Sequence, residues 1–295
     1  MLQRFLDPTV LAGISGLDLV AKTVVDGFIA GLHRSPDFGF SQEFAEYRAY
    51  TPGDDLRHVD WNVFARTERM YLKRYRGETN SQLLVLLDTS ASMGFGSHAV
   101  NKLDFARYMA ACLLYMASHQ RDAAGLIVFD EDVKAYVEPS TRQGQLFRLL
   151  HTVEHAEVGT HTDFAKPFVH FQQFLHRRGI VIVLSDFYEQ PETIIKTVEP
   201  LRFRGNEVIL FHVLDPQEIE PKFRDPVLLL DMENKSSMEV TPDYARTEYR
   251  AKIAAHIEKL ASVTRRAGME YFLMNTARPL DEGLREYLTI RQGRM

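Results

Sequence analysis

Oxygen-bearing side chains follow the first apolar run of the chain at regular spacing. Asp88, Ser90 and Ser92 stand two residues apart, directly after Leu86 and Leu87. A curved loop can turn three such side chains toward one point, and oxygen ligands are what a hard cation such as Mg2+ prefers. Because serine hydroxyls carry no charge, the protein would neutralise the ion only in part, and the ion would keep its attraction for an incoming carboxylate.

Two later segments supply further oxygen donors. Asp186 ends another apolar run, where a second carboxylate can hold a metal-bound water, and Thr162 lies just before a helical pattern. Thr160 is the alternative to Thr162 as the threonine ligand of the metal. An isolated Asp-x-Ser-x-Ser pattern is weak evidence, since Asp and Ser also cap helices and form turns. The combination predicts a site for Mg2+, or for Mn2+ or Ca2+, on Asp88, Ser90, Ser92, Thr162 and Asp186.

The elements that position these residues follow an alternating pattern of strands and helices. Such a pattern predicts an α/β fold with a doubly wound, mostly parallel sheet, whose strands are continuous apolar runs because both of their faces are buried. One connection, after Phe129, is too short to cross over a sheet, so Val133 to Val137 is expected to pair antiparallel at an edge. The parallel strands are predicted at Leu83 to Leu87, Ala124 to Phe129, Ile180 to Leu184, Glu207 to Leu214 and Met269 to Met274.

Two regions outside this pattern shape the predicted domain organisation. Apolar residues at helical spacing from Leu17 to Leu32 predict an amphipathic helix, and the segment from Glu43 to Asn80 is rich in arginine and aromatic residues. We therefore divide the chain into an N-terminal appendage, 1–80, and an α/β domain, 81–295.

Trp61 is expected in a core. The arginines of the appendage either pair with nearby acids or form a surface for an acidic partner. Near the C-terminus, Thr241 and Pro242 predict the start of a long helix.

Composition excludes several classes of protein. Hydrophobic residues make up 45% and charged residues 25% of the 295 residues, as in ordinary globular proteins. The net charge of -5 argues against whole-protein attraction to nucleic acid. A single cysteine, Cys112, cannot form an internal disulfide and is expected to be buried. No uncharged stretch is long enough to cross a bilayer, so we expect a cytoplasmic protein, free or peripheral to the inner membrane.

The order of the metal-site motifs resembles that of the von Willebrand factor A family. That resemblance implies a metal-ion-dependent adhesion site in which Asp88, Ser90, Ser92 and Thr162 surround the ion and Asp186 supports it through water. A second resemblance, to the bacterial family called domain of unknown function 58, rests on an upstream block and a C-terminal pattern. The block and the pattern comprise Glu43-Phe44, Tyr47 to Tyr50, Pro52 to Arg57, Val59 to Trp61, Ala65 to Thr67, Tyr271 to Leu273, Pro279-Leu280, Leu284 and Tyr287-Leu288.

These resemblances imply a binding protein and not an enzyme. The expected partner offers an acidic side chain to the metal, and the family association points to a MoxR-type AAA+ ATPase acting in the assembly or maturation of other proteins. The alternative is a Mg2+-dependent phosphohydrolase with Asp88 as nucleophile, although Ser90 stands where such enzymes usually place a second acid. A third possibility is a structural domain whose site holds no metal.

Overall fold

The chain divides into two compact units in the computed structural model. One unit comprises Met1–Phe28 and Ser81–Met295, and the other comprises Ile29–Asn80. The sequence-based division at residue 80 stays a prediction about domain organisation. The described residues are 7–13, 16–32, 46–51, 59, 61–74, 82–159, 164–171, 178–203, 205–230 and 237–292.

Helices and strands are numbered in chain order. The strands are β1 (Glu46–Ala49), β2 (Tyr71–Arg74), β3 (Gln82–Asp88), β4 (Ala123–Phe129), β5 (Val133–Ser140), β6 (Gly179–Ser185), β7 (Glu207–Leu214), β8 (Val227–Leu230), β9 (Ser237–Val240) and β10 (Glu270–Asn275). The α-helices are α1 (Pro8–Leu11), α2 (Leu17–Leu32), α3 (Trp61–Thr67), α4 (Lys102–His119), α5 (Gln145–Glu154), α6 (Ala165–Phe171), α7 (Pro191–Phe203), α8 (Pro216–Ile219), α9 (Pro242–Tyr244), α10 (Arg250–Arg266) and α11 (Asp281–Gln292).

The main sheet confirms the predicted α/β class. Its strands lie in the order β10-β7-β6-β3-β4-β5, and every neighbouring pair is parallel except β4 with β5. From β3 the chain first builds outward through β4 and β5, then returns to the other side of β3 and builds through β6, β7 and β10. The direction in which successive strands are added to the sheet therefore reverses between β3 and β6. In open α/β sheets, ligands bind at the carboxyl ends of the strands at such a switch point.

Burial on both faces explains the apolar strands. All seven residues of β3 and all seven of β6 are buried. On one face of the sheet, aromatic rings of Phe129, Phe164, Phe168 and Phe171 pack edge-on or tilted against one another, with centroids 4.6–6.3 Å apart. On α4, Cys112 is fully buried as expected, and burial raises the pKa of its thiol, which suits a packing role.

The C-terminal helical region differs from the single helix that the sequence predicts. Thr241 does cap its start, accepting a hydrogen bond from the Tyr244 amide at 3.4 Å. The region then passes from α9 through a π-helical turn, Ala245–Tyr249, before α10 continues to Arg266. Gly268, with φ of 70°, ends it. The π turn adds a residue to one turn of the helix, which a period of 3.6 cannot reveal.

The smaller unit contains an antiparallel pair and a short helix. Residues of β1 and β2 pair from Glu46 with Arg74 to Ala49 with Tyr71. Trp61 begins α3 and is 54% exposed, so the expectation that it lies in a core was wrong. Its ring makes an edge-on contact with Phe64 on the same seven-residue helix, which is too short to cover an indole. Of the four acids expected to pair with the arginines, Glu68 is described, and Asp54, Asp55 and Asp60 lie outside the described residues.

The helices offer no membrane span. Within the described ranges, none is both long and apolar enough to cross a bilayer.

Candidate metal centre

Asp88 and the serines that follow it form one compact group at the end of β3. The Ser90 amide donates to Asp88 Oδ1 at 2.8 Å, and the hydroxyl oxygens of Ser90 and Ser92 lie 3.2 Å apart. A 3-10 turn over Ala91–Gly94 bends the chain here, with Ala91 and Met93 buried in the core. The apolar residues of this turn anchor the loop, and the alternating serines carry its hydroxyl groups.

The second carboxylate comes from the neighbouring strand. Asp186 directly follows β6, and the hydroxyl of Ser185 donates to Asp88 Oδ2 at 2.5 Å. The chain then turns through Phe187, whose φ of 48° lies in the left-handed region. A bulky residue there costs on the order of 1–3 kcal/mol. Burial of the Phe187 ring against Phe164 and His212 offsets that strain and holds the turn that follows Asp186.

The electrostatic environment of Asp88 is unusual for a carboxylic acid. Burial, and then the negative charge of Asp186, raise the pKa of Asp88 to about 7, while hydrogen bonds from Ser185 and Ser90 act in the opposite direction. Both effects disfavour the ionised form of Asp88. A cation bound at this site would favour it.

One cationic side chain is already part of the site, at a position that the sequence pattern did not indicate. Lys102, at the start of α4, is 1% exposed, and its Nζ lies 2.7 Å from Asp186 Oδ2 and 2.7 Å from Glu218 Oε1. Burial by itself would lower the pKa of Lys102, but the charges of Asp186 and Glu218 outweigh it and raise that pKa above its usual value. The ammonium group also lies 4.8 Å from the centre of the Tyr188 ring.

Glu218 is held in place by its own helix. Its Oε2 accepts the Asp215 amide at 2.8 Å, while Asp215 accepts the Gln217 amide, which together form a capping box at the start of α8. Asp215 also accepts the amide and hydroxyl of Ser97, at 2.8 and 2.6 Å. These bonds tie the loop before α4 to α8. They fix the two elements that bring Lys102 and Glu218 together.

Sequence signals for these residues exist but are easily overlooked. A lysine in the first turn of a helix opposes the helix dipole, so Lys102 is out of place unless a buried acid pairs with it. The pattern Asp215-Pro216-x-Glu218 is a common helix start, and its capping role conceals the second role of Glu218.

The residues described here suit a hard cation. The structure brings Asp88, Ser90 and Ser92 together and places Asp186 close enough to raise the pKa of Asp88. All of them offer oxygen atoms, as Mg2+ requires. Thr162 and its rival Thr160 lie outside the described residues. Ligation of a metal by the predicted residues stays a prediction.

Strand order, the antiparallel edge strand and the helices between strands define a von Willebrand factor A-like α/β fold. The family model described as "Protein of unknown function DUF58" matches residues 46–274, and the chain belongs to that family.

Relatives in mycobacteria are similar over most of their length. An uncharacterized protein of Mycobacterium tuberculosis (strain ATCC 25618 / H37Rv) is 30% identical over 278 residues, covering 92% of this chain and 86% of the relative. An uncharacterized protein of Mycobacterium bovis shows the same values.

Similar solved structures include the conserved hypothetical protein BatB from Bacteroides thetaiotaomicron, with a TM-score of 0.47 and 12% identity over 71% of this chain and 97% of that one. The SpRpn10 VWA domain matches with a TM-score of 0.40 and 11% identity, over 68% and 92% respectively. At these scores the fold assignment rests on the strand order of the chain itself.

Proposed function

We propose that this protein is a divalent-cation-dependent protein-binding module and not an enzyme. The observation that carries the proposal is the buried carboxylate of Asp88, whose pKa is raised to about 7 beside the uncharged hydroxyls of Ser90 and Ser92. The ionised form of such a buried carboxylate is unfavourable in the absence of a cation and becomes favourable when a cation binds. Asp88, Ser90, Ser92 and Thr162 would hold Mg2+, and Asp186 would support it through water.

The balance of charge supports a divalent ion. Within the part of the chain that the structure describes, Asp88, Asp186 and Glu218 are buried together with one ammonium group, that of Lys102. With all three acids ionised, the acids exceed the base by two charges. Mg2+ would neutralise that excess, whereas a monovalent ion would leave part of it uncompensated in a region of low dielectric.

A partner would complete the site. Mg2+ favours octahedral coordination by oxygen, and serine and threonine hydroxyls leave much of its charge available. An Asp or Glu of a partner protein is the ligand that fits this remaining charge. The resemblance to the family supports a MoxR-type AAA+ ATPase as that partner, in the assembly or maturation of other proteins.

The decisive experiment measures binding of the cognate MoxR-type ATPase by surface plasmon resonance in constant Mg2+. EDTA alone is ambiguous, because the ATPase itself uses Mg2+ with its nucleotide. We therefore compare the wild type with Asp88→Ala and with Asp132→Ala, an acid that is half exposed and pairs with Lys166. Binding that weakens at least about tenfold with Asp88→Ala alone supports the proposal. Equal affinity for all three proteins overturns the metal-bridged interaction.

The phosphohydrolase alternative has no observation in its favour among the described residues. Ser90 takes the position of the second acid, and a nucleophile with the raised pKa of Asp88 would be half protonated at neutral pH. Phosphatase turnover that disappears with Asp88→Asn would favour the phosphohydrolase over the binding module.

A further inference from the structure

A second group of metal-ligating side chains lies on α5, apart from the centre on β3 and β6. His151, Glu154 and His155 are exposed, and their nearest ligating atoms all lie within 4.8 Å of one another. The two imidazole rings have centroids 4.1 Å apart. Spacings of three and four residues put all three side chains on one face of a helix turn, while Leu149, Leu150 and Val153 are buried.

A backbone contact fixes the tautomer of the neutral His155 ring. Its Nδ1 lies 2.8 Å from the carbonyl oxygen of His151. A carbonyl oxygen only accepts hydrogen bonds, so Nδ1 carries the proton of the neutral ring, and Nε2 is left with a free lone pair. Metal-binding histidines are commonly oriented in this way, with one nitrogen bonded to a backbone carbonyl and the other on the metal. His151 is held on its other side by a stacked contact with Phe147, at 6.0 Å and an interplanar angle of 10°.

Both imidazoles border a pocket of about 540 Å³. Its wall is formed by the end of α5, the loop after it and the β4–β5 hairpin. Thr89 and Gly159, whose backbones are joined by a hydrogen bond of 2.6 Å, also line it. An ion held by His151 and His155 would therefore keep open positions toward a partly polar surface pocket.

We propose that His151, Glu154 and His155 form a binding site for Zn2+ or a similar borderline divalent metal, with its free coordination positions facing the pocket. Two imidazoles four residues apart on a helix are a well-known zinc-binding arrangement, and a carboxylate completes three protein ligands. Imidazole nitrogen also distinguishes this site from the all-oxygen centre at Asp88, which suits Mg2+. The proposal is independent of the proposed function.

The test uses full-length protein without a polyhistidine tag, in an Asp88→Ala background that removes the other centre. Zn2+ binding is measured by isothermal titration calorimetry, and Co2+ binding by visible d–d absorption. We expect one Zn2+ per chain, and at least about tenfold weaker binding with His151→Ala, His155→Ala or Glu154→Gln. The matched control is His119→Ala, which removes an exposed histidine from the end of α4. It should leave both the affinity and the Co2+ spectrum unchanged.

Three outcomes overturn the proposal. Zn2+ binding that survives the double substitution His151→Ala and His155→Ala places the metal elsewhere, and so does a loss of binding with His119→Ala. Failure of the Asp88→Ala protein to bind Zn2+, while the wild type binds it, assigns the metal to the other centre. Because the three positions are exposed, circular dichroism should show the same helical content in all variants.

Discussion

Lys102 Nζ lies 2.7 Å from Asp186 Oδ2, in a region where both side chains are almost fully buried. A lysine thus shares the carboxylate that was expected to support a metal. The ammonium group compensates part of the buried negative charge, and the proposed divalent cation would compensate the remainder. This ion pair lowers the cost of burying Asp186 and Glu218 next to Asp88.

Replacing Lys102 should strongly destabilise the protein. Lys102→Met leaves Asp186 and Glu218 buried without a partner, and removing one side of a buried ion pair typically costs about 3–5 kcal/mol. Lys166→Met is the control: Lys166 pairs with Asp132 at 2.9 Å and both side chains are half exposed, so its loss should cost about 1 kcal/mol or less. Urea unfolding at pH 8 measures both. Similar stabilities for the two variants would show that Lys102 does not compensate buried charge.

Asp88→Asn should stabilise the metal-free protein at high pH. The folded-state pKa of Asp88, about 7, exceeds its ordinary value of 3.8, so the folded protein binds the proton more tightly than the unfolded chain. This contribution to stability is fully present below pH 3.8 and is lost as the pH rises through 7. Asparagine stays uncharged as the pH rises, so the variant does not lose this stability. We expect a melting temperature higher than that of the wild type by about 5 °C at pH 8 in EDTA, and a smaller difference at pH 5. Asp132→Asn, which replaces an exposed acid, is the control, and an equal gain at pH 8 in that variant would contradict the prediction.

Mg2+ binding should release a proton at low pH. Below about pH 7 Asp88 is protonated in the metal-free site, and Mg2+ must displace that proton. Apparent affinity should therefore fall by about tenfold for each pH unit below 7 and level off above it. Calorimetry in buffers of different ionisation enthalpy should detect about one proton released at pH 6 and close to none at pH 8.5. Affinity independent of pH would exclude Asp88 as the ligand.

Hydroxyl ligands can be tested one at a time. Ser90→Ala, Ser92→Ala and Thr162→Ala each remove an expected oxygen ligand and should weaken Mn2+ binding by at least about tenfold, as followed by electron paramagnetic resonance. Thr160→Ala is the matched control for the threonine. A larger effect of Thr160→Ala than of Thr162→Ala would exchange the two assignments.

Gly159 allows a close backbone approach beside the centre. Its amide donates to the Thr89 carbonyl at 2.6 Å, and a Cβ at this position would collide with Asp130 Oδ2. Gly159→Ala should therefore cost about 1–3 kcal/mol of unfolding free energy and weaken Mg2+ binding through Thr89. At Gly13 an added Cβ would make only ordinary contact, 3.5 Å from the Val10 carbonyl, so Gly13→Ala serves as the control in thermal unfolding. Equal losses of stability in the two variants would show that the backbone at Gly159 has room for a Cβ.

Much of the fold could be predicted because its determinants are local. The apolar runs of β3, β4, β6 and β7 and the short turn after Phe129 specified both the parallel sheet and the antiparallel strand β5. Asp88, Ser90 and Ser92 could be found because they follow one strand at regular spacing. Trp61 was misassigned, since the size of a side chain does not reveal whether neighbouring elements will cover it.

Only the tertiary structure decided how the charges of the centre are arranged. Lys102, Asp186 and Glu218 are separated by up to 116 residues, and their contacts depend on α4, β6 and α8 meeting at one edge of the sheet. Residue types and spacing determine which side chains can bind a cation. The raised pKa of Asp88 and the pairing of Lys102 arise from burial and proximity, which exist only after the chain has folded.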